Sequence, residues 1–315
     1  MKKYSLSLFI VFSIFAISFV ITGSRTAFSY SGQTDTLKVL EPLNHYKLES
    51  QLLVSILSRY HYKDFEINDS LSGKIFDRYI KILDNGKNYL LISDMNDLSY
   101  YKDKLDNDLF EGNLDFYFEA FNIYRKRFNE RLDFIDSLLN NEFDYSIEES
   151  FEFDREKANW ANNKSELDEL WRKRLKNDAL TYRLNGKDWE FIQKTLRKRY
   201  KNLSNFINQY TPEDVFQFAM NSFTENIDPH TNYLSPVTSD NFKIDMSLSL
   251  EGIGARLQTE DEYTKVAEII PGGPADKSGL LKADDRIIGV AQGEDGEFED
   301  IIGWRITDAV KLIRG

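Results

Sequence analysis

Hydrophobic positions across residues 36–230 recur at intervals of three and four, the period of helices with one buried face. Leu52, Leu53, Ile56, Leu57 and Tyr60 form one such set. Leu71, Ile75, Tyr79, Ile82 and Leu83 form a second, closed by the turn Asp84-Asn85-Gly86. The longest set runs through Leu114, Phe118, Phe121, Tyr124, Phe128, Leu132, Ile135 and Leu139, with Arg125, Lys126, Arg127, Glu130 and Arg131 between them. Ser165 is placed to cap a helix carrying Leu167, Leu170, Trp171 and Leu175 that ends near Gly186. Trp189, Ile192, Leu196, Tyr200, Leu203 and Ile207 continue the period. Thr211-Pro212-Glu213-Asp214 then starts another helix, with a hydroxyl cap, a first-turn proline and acids facing the positive helix end. The lengths differ and share no fixed repeat, which argues against a solenoid. Phe and Tyr at helical spacing read as core side chains and not as a cofactor box.

The pattern changes near Asp228, where proline and glycine become frequent, and from Ser247 it turns to strands and tight turns. Ala255–Gln258, Lys265–Ile270 and Arg286–Ala291 read as strands. The segment 271–279 reads as a turn and short helix stopped by Gly279. Thr307–Arg314 reads as an amphipathic helix with Ala309, Val310 and Ile313 on one side. The expected fold class is therefore α+β and multidomain: a mainly α-helical N-terminal domain over 36–235, then a small β/α domain over 247–315, with the boundary at 235–246.

At the N-terminus Lys2 and Lys3 precede a nearly unbroken apolar run over residues 6–21, then small and polar residues. This is the layout of a secretory signal, expected to span residues 1–29. The run falls short of the roughly 20 residues that span a bilayer, so an uncleaved anchor is the weaker reading. The whole chain carries a net charge of −12. Removing residues 1–29 takes away Lys2, Lys3 and Arg25 and leaves 37 basic against 52 acidic residues, a charge of −15. That sign argues against nucleic acid as a partner and makes Arg125-Lys126-Arg127 a solvated face. The absence of cysteine removes disulfides, thiolate metal sites and cysteine nucleophiles, and it suits export to a bacterial periplasm.

The chemistry concentrates at Gly252-Ile253-Gly254-Ala255, two glycines straddling an isoleucine ahead of a strand. Such a pair lets successive backbone amides point inward as an anion nest. At the start of a free strand edge, a nest suits the carboxylate of a peptide C-terminus, whose backbone then extends the sheet. The helix Thr307–Arg314 supplies the second wall of that groove.

The stretch GIGA followed by VAEIIPGGPADKSGLLKADDRIIGV (266–290) resembles a PDZ domain of the bacterial protease type. LSGKIFDRYIKILDNGKNYLLISDMNDL (71–98) and NIDPHTNYLSP (226–236) resemble the N-terminal helical domain and connector of the tail-specific, C-terminal processing serine proteases. The resemblance covers about residues 40–315 and implies recognition of the C-termini of exported proteins, followed by hydrolysis at a Ser/Lys dyad. It implies that Gly252, Ile253, Gly254 and Ala255 hold the substrate carboxylate, and that Leu257, Val310 and Ile313 line an apolar pocket. It implies no cofactor and no metal, a periplasmic location, a possible periplasmic adaptor as partner, and membrane contact only through an uncleaved signal segment. Two departures stand out. Ala283-Asp284-Asp285-Arg286 replaces the family's glycine-aspartate turn, placing an aspartate where the left-handed region is needed. The last strand of the PDZ domain and the Ser/Lys dyad are not among these residues, so no catalytic residue is assigned. The missing strand leads to an expectation of marginal stability for 247–315. The alternative reading is a non-catalytic secreted PDZ adaptor or scaffold. A trypsin-like protease with appended PDZ domains is disfavoured, because its protease domain would lie where the helices lie.

Three tempting features receive plainer readings. His230, beside Asp228 and near Ser235, lies too close to both in sequence for triad geometry and reads as part of a hydrogen-bonded turn fixing the connector to the PDZ domain. His45 and His61 lack a metal-ligand partner at matching spacing. Glu294-Asp295-Gly296-Glu297 with Glu299 and Asp300 lacks the alternation of a calcium loop and reads as a solvated surface loop.

Overall fold

A computed structural model describes residues 38–247, 252–260, 263–293 and 296–314. The expected export segment, 1–29, lies outside the described residues. Helix α1 (Asn44–Tyr60) buries Tyr46, Ser50 and Val54. Leu52, Ile56 and Tyr60, expected on the inner face, are exposed. The reason is the partner: Tyr46 stacks on Phe216 at 4.4 Å and donates its hydroxyl to Glu213 at 2.9 Å, which turns the face carrying Ser50 inward. Helix α2 (Asp69–Asp84) starts at Asn68, whose side chain accepts from the Leu71 amide, and buries Leu71, Ile75, Tyr79 and Leu83 as its period predicts. The buried carboxylate of Asp84 then accepts the amides of Asn88, Tyr89 and Leu90 at 2.8–2.9 Å, turning the chain back.

Short helices α3 (Ile92–Leu98) and α4 (Leu105–Glu111) lead into α5 (Asp115–Leu138), the central helix, which contacts α2 and the later helices. Between Leu138 and Lys164 the chain is irregular, correcting the expectation of nearly continuous helix. In this stretch Phe143 and Tyr145 are two apart, as are Phe151 and Phe153, and neither pair has the helical spacing of three or four. Glu149 anchors the stretch through ion pairs to Arg172 and Lys176 of α6 (Lys164–Leu184). The cap of α6 is Asn163, not Ser165, and its side chain accepts from the Glu166 amide at 3.1 Å. Helix α7 (Trp189–Asn208) buries Ile192, Leu196, Tyr200 and Ile207. Helix α8 (Pro212–Ile227) begins with the expected box: Thr211 accepts from the Asp214 amide and Asp214 from the Thr211 amide.

The connector after α8 is tied to the helical part. Tyr62 donates to Asp228, Lys63 donates to the Ile227 carbonyl at 2.7 Å, and the His61 ring meets the Thr231 hydroxyl at 3.0 Å. The turn holding His230 is hydrogen-bonded as expected, but its side-chain partners come from the helical part and not from the C-terminal strands. Helix α9 (Pro236–Ser247) follows, where the sequence pattern placed a domain boundary.

In the C-terminal part β1 (Ala255–Glu260) pairs antiparallel with β2 (Tyr263–Ile269), Ala255 opposite Ile269 and Glu260 opposite Tyr263. After α10 (Pro274–Ser278), β3 (Arg286–Ile287) adds to β2. The strand expected over 286–291 breaks at Ile288. Gly289–Val290 (β4) pairs instead with Glu299–Asp300 (β5), and the Ile288 carbonyl accepts from the Ile301 amide at 3.1 Å. Helix α11 (Ile306–Arg314) packs against β1. The fold is α+β, with an antiparallel C-terminal part after the helices. Among the described residues no helix is long and apolar enough to cross a membrane.

Candidate functional site

The loop before β1 takes the backbone its glycines permit: φ is +142° at Gly252 and +75° at Gly254. Its carbonyls face the neighbouring elements, Ile253 accepting from the Ala275 amide at 2.8 Å and Gly254 from the Ile270 amide at 2.9 Å. A Cβ on Gly254 would stand 2.8 Å from Pro274 Cδ and 3.0 Å from Gly273 Cα, so only glycine fits. The loop opens on a cavity of about 300 Å³ bounded by β1 below and α11 above. Gly252, Ile253, Gly254, Ala255, Leu257, Val310 and Ile313, all singled out from sequence, line this one cavity. Val310 and Ile313 sit one turn apart on α11, and Ala255 and Leu257 share one side of β1.

Three further lining residues escaped the sequence reading: Ile270 at the end of the hairpin, and Arg256 and Arg314. A signal for Arg314 was present, since it follows Val310 by four on the same helix. Arg256 pairs with Glu268 across the hairpin at 2.8 Å. Among the described residues that line the cavity none is acidic.

Away from the cavity, Asp284 adopts φ +73°, the left-handed conformation expected of this turn. Its carboxylate pairs with Lys265 at 2.8 Å, which holds the Asp284 carboxyl below its ordinary range. Lys265 also pairs with Glu260 at 3.0 Å, bracing the hairpin against the turn.

The end of the groove near α11's start is fixed to the helical part. Arg305 forks onto Asp214 at 2.6 and 3.1 Å, and Gln209 donates to the Gly303 carbonyl. Asp214 thus both caps α8 and holds the residue that precedes α11. Among the described residues no group of three or more His, Asp or Glu side chains is arranged to hold a metal.

A glycine loop opening on an apolar slot between a strand and a helix, carried behind a helical domain, defines a PDZ-bearing protein. Residues 53–237 match the model of the tail specific protease N-terminal domain, and residues 241–315 match the PDZ domain model. The chain belongs to the tail-specific protease family. It is 40% identical over 270 residues to the tail-specific protease of Haemophilus influenzae, an alignment covering 85% of this chain and 39% of that protein. It is 30% identical over 122 residues to the carboxy-terminal processing protease CtpA of Bacillus subtilis, covering 38% of this chain and 25% of that one. A crystal structure of the PDZ domain of the carboxy-terminal protease from Vibrio cholerae, in complex with peptide, is 52% identical. It covers 21% of this chain and 66% of that chain, with a TM-score of 0.20. The chain therefore spans well under half the length of the curated relatives it matches.

Proposed function

We propose that these residues are the substrate-recognition portion of a tail-specific serine endopeptidase and that the loop 252–255 holds the free C-terminus of an exported protein destined for hydrolysis. One observation carries the reading: a loop that only glycine can form lies at the mouth of an apolar cavity beside β1, which pairs with no strand but β2 among the described residues. A peptide adding along β1 places its last side chain against Leu257, Val310 and Ile313 and its carboxylate at the amides of the loop. Peptide-bond hydrolysis is assigned to a Ser/Lys dyad elsewhere in the full-length protease. The domain assignment runs as a signal peptide over 1–29, a helical domain over 36–235 and a PDZ domain over 247–315. The location is the periplasm, reached through that signal, where a periplasmic adaptor is a further possible partner.

Titrating the chain with a peptide ending in leucine, as free acid and as amide, tests the reading. The acid should bind with a micromolar-class Kd, as suits a shallow strand-addition groove, and the amide much more weakly. Equal binding of acid and amide would remove the carboxylate from the account.

A further inference from the structure

The cavity beneath Val310 and Ile313 occupies only one end of the space between β1 and α11. On β1, Ala255, Leu257 and Thr259 alternate onto one side of the strand; the first two line that cavity and the third lines another. On α11, Ile313 and Val310 line the first cavity and Ile306 the second. The two cavities therefore follow one another along the same strand and the same helix. The second measures about 330 Å³, and its far wall is the end of α7, through Asn205 and Phe206, with Gln209 just beyond the helix. Trp304 completes it from the C-terminal part.

Phe206 is 54% exposed and Trp304 37%, two aromatic rings left open to solvent at one cleft. Asn205 beside them carries an amide group able to bond a passing peptide backbone. The forked Arg305–Asp214 pair and the Gln209–Gly303 bond hold the two walls in register, so the cleft is preformed.

A peptide whose carboxylate sits at 252–254 runs antiparallel to β1 and reaches Thr259 about 13 Å upstream, at roughly 3.3 Å per residue. We propose that the second cavity is an upstream subsite that takes a large apolar or aromatic side chain about five residues before the substrate's C-terminus, read jointly by α7 and the PDZ part. The inference rests on the groove reading above and narrows the substrate class. The preferred tail is extended over its last five or six residues and carries an aromatic or bulky aliphatic side chain at the inner end of that stretch. A C-terminus packed into a folded domain cannot enter.

Calorimetric titration of the full 315-residue chain with three unlabelled peptides tests this. All end in leucine: a tetrapeptide of serine and glycine, a decapeptide of the same composition, and the decapeptide with phenylalanine fifth from the C-terminus. The phenylalanine peptide should bind about two- to tenfold tighter than the plain decapeptide, the range for one aromatic contact. Phe206→Ala should abolish that difference and leave the tetrapeptide unchanged. As a check free of substitutions, p-benzoylphenylalanine at the same peptide position should photo-crosslink to the proteolytic fragment containing α7. Equal affinities of the two decapeptides, or crosslinks that avoid α7, would overturn the upstream subsite while the tetrapeptide's binding keeps the groove reading intact. Failure of all three peptides to bind would overturn the groove reading itself and this inference with it.

Discussion

Alanine at Gly254 is the sharpest probe of how the loop before β1 is built. The added Cβ would stand 2.8 Å from Pro274 Cδ, 3.0 Å from Pro274 N and 3.0 Å from Gly273 Cα. These atoms belong to backbone and a proline ring at the start of α10, so no side chain can rotate away to make room. The conformation, φ +75°, adds about 1–2 kcal/mol for any L side chain. Forcing the extra carbon into occupied space adds about 1–3 kcal/mol more. Gly279→Ala separates the two costs. Its φ is +65° and nothing lies within 4 Å of the new Cβ, so it carries the strain alone. The readout is native-state hydrogen exchange at the amides of Ile270 and Ala275, which donate to the carbonyls of Gly254 and Ile253. Gly254→Ala should lower their protection about tenfold to a hundredfold more than Gly279→Ala does, since about 1.4 kcal/mol corresponds to a factor of ten. If the two variants exchange alike, the close packing of the loop on α10 plays no part in holding it. Gly254→Val, branched at Cβ, should abolish binding of a free-acid peptide as well.

Other parts of the molecule yield further tests. Arg305→Ala removes a forked, partly buried pair worth about 1 kcal/mol and should speed limited proteolysis between residues 236 and 252; an unchanged cleavage rate would mean that the pair does not hold the C-terminal part in place. Arg172 and Lys176 hold the Glu149 carboxyl down to about 2, against an ordinary 4.5. A carboxyl depressed in the fold adds stability that is present above about 4.5 and is lost as pH falls toward about 2. Melting temperatures should therefore drop across that window in both proteins, since other carboxyls are lowered too, but by less in Glu149→Gln than in the wild type, and parallel curves would refute the assignment. Asp84→Ala leaves three amide donors at a buried turn without their acceptor and should destabilise the helical part by about 3 kcal/mol or more in urea denaturation. A loss under about 1 kcal/mol would show that water or relaxation replaces the carboxylate.

Much of the helical part was legible because its signals are local. The periods of α2, α5 and α7 and the Thr211 box concern residues a few positions apart, and each formed as read. The errors share a cause. In α1 Leu53 and Leu57 pack against the core as their spacing predicts, but Leu52, Ile56 and Tyr60 face solvent, because contact with Phe216 and Glu213, far along the chain, brings Tyr46 and Ser50 inward. Ser165 and Asn163 both suit a helix start, and the side chain that meets the Glu166 amide decides between them. The strand expected at 286–291 has the right composition, but its two halves find different partners on either side of Ile288.

The sequence by itself determined the fold class, the glycine loop and the seven residues that line its cavity, because a GIGA turn, an alternating strand and an amphipathic helix each announce their geometry within a few residues. Tertiary structure alone decided what stands at the other end of that groove. Arg305 meets Asp214 across 91 positions and Gln209 meets Gly303 across 94. No local pattern encodes which helix of a bundle lies beside a distant strand, since that follows from how all the buried faces pack at once. The meeting of α7 with the C-terminal part, and with it the second cavity, exists only once the chain has folded.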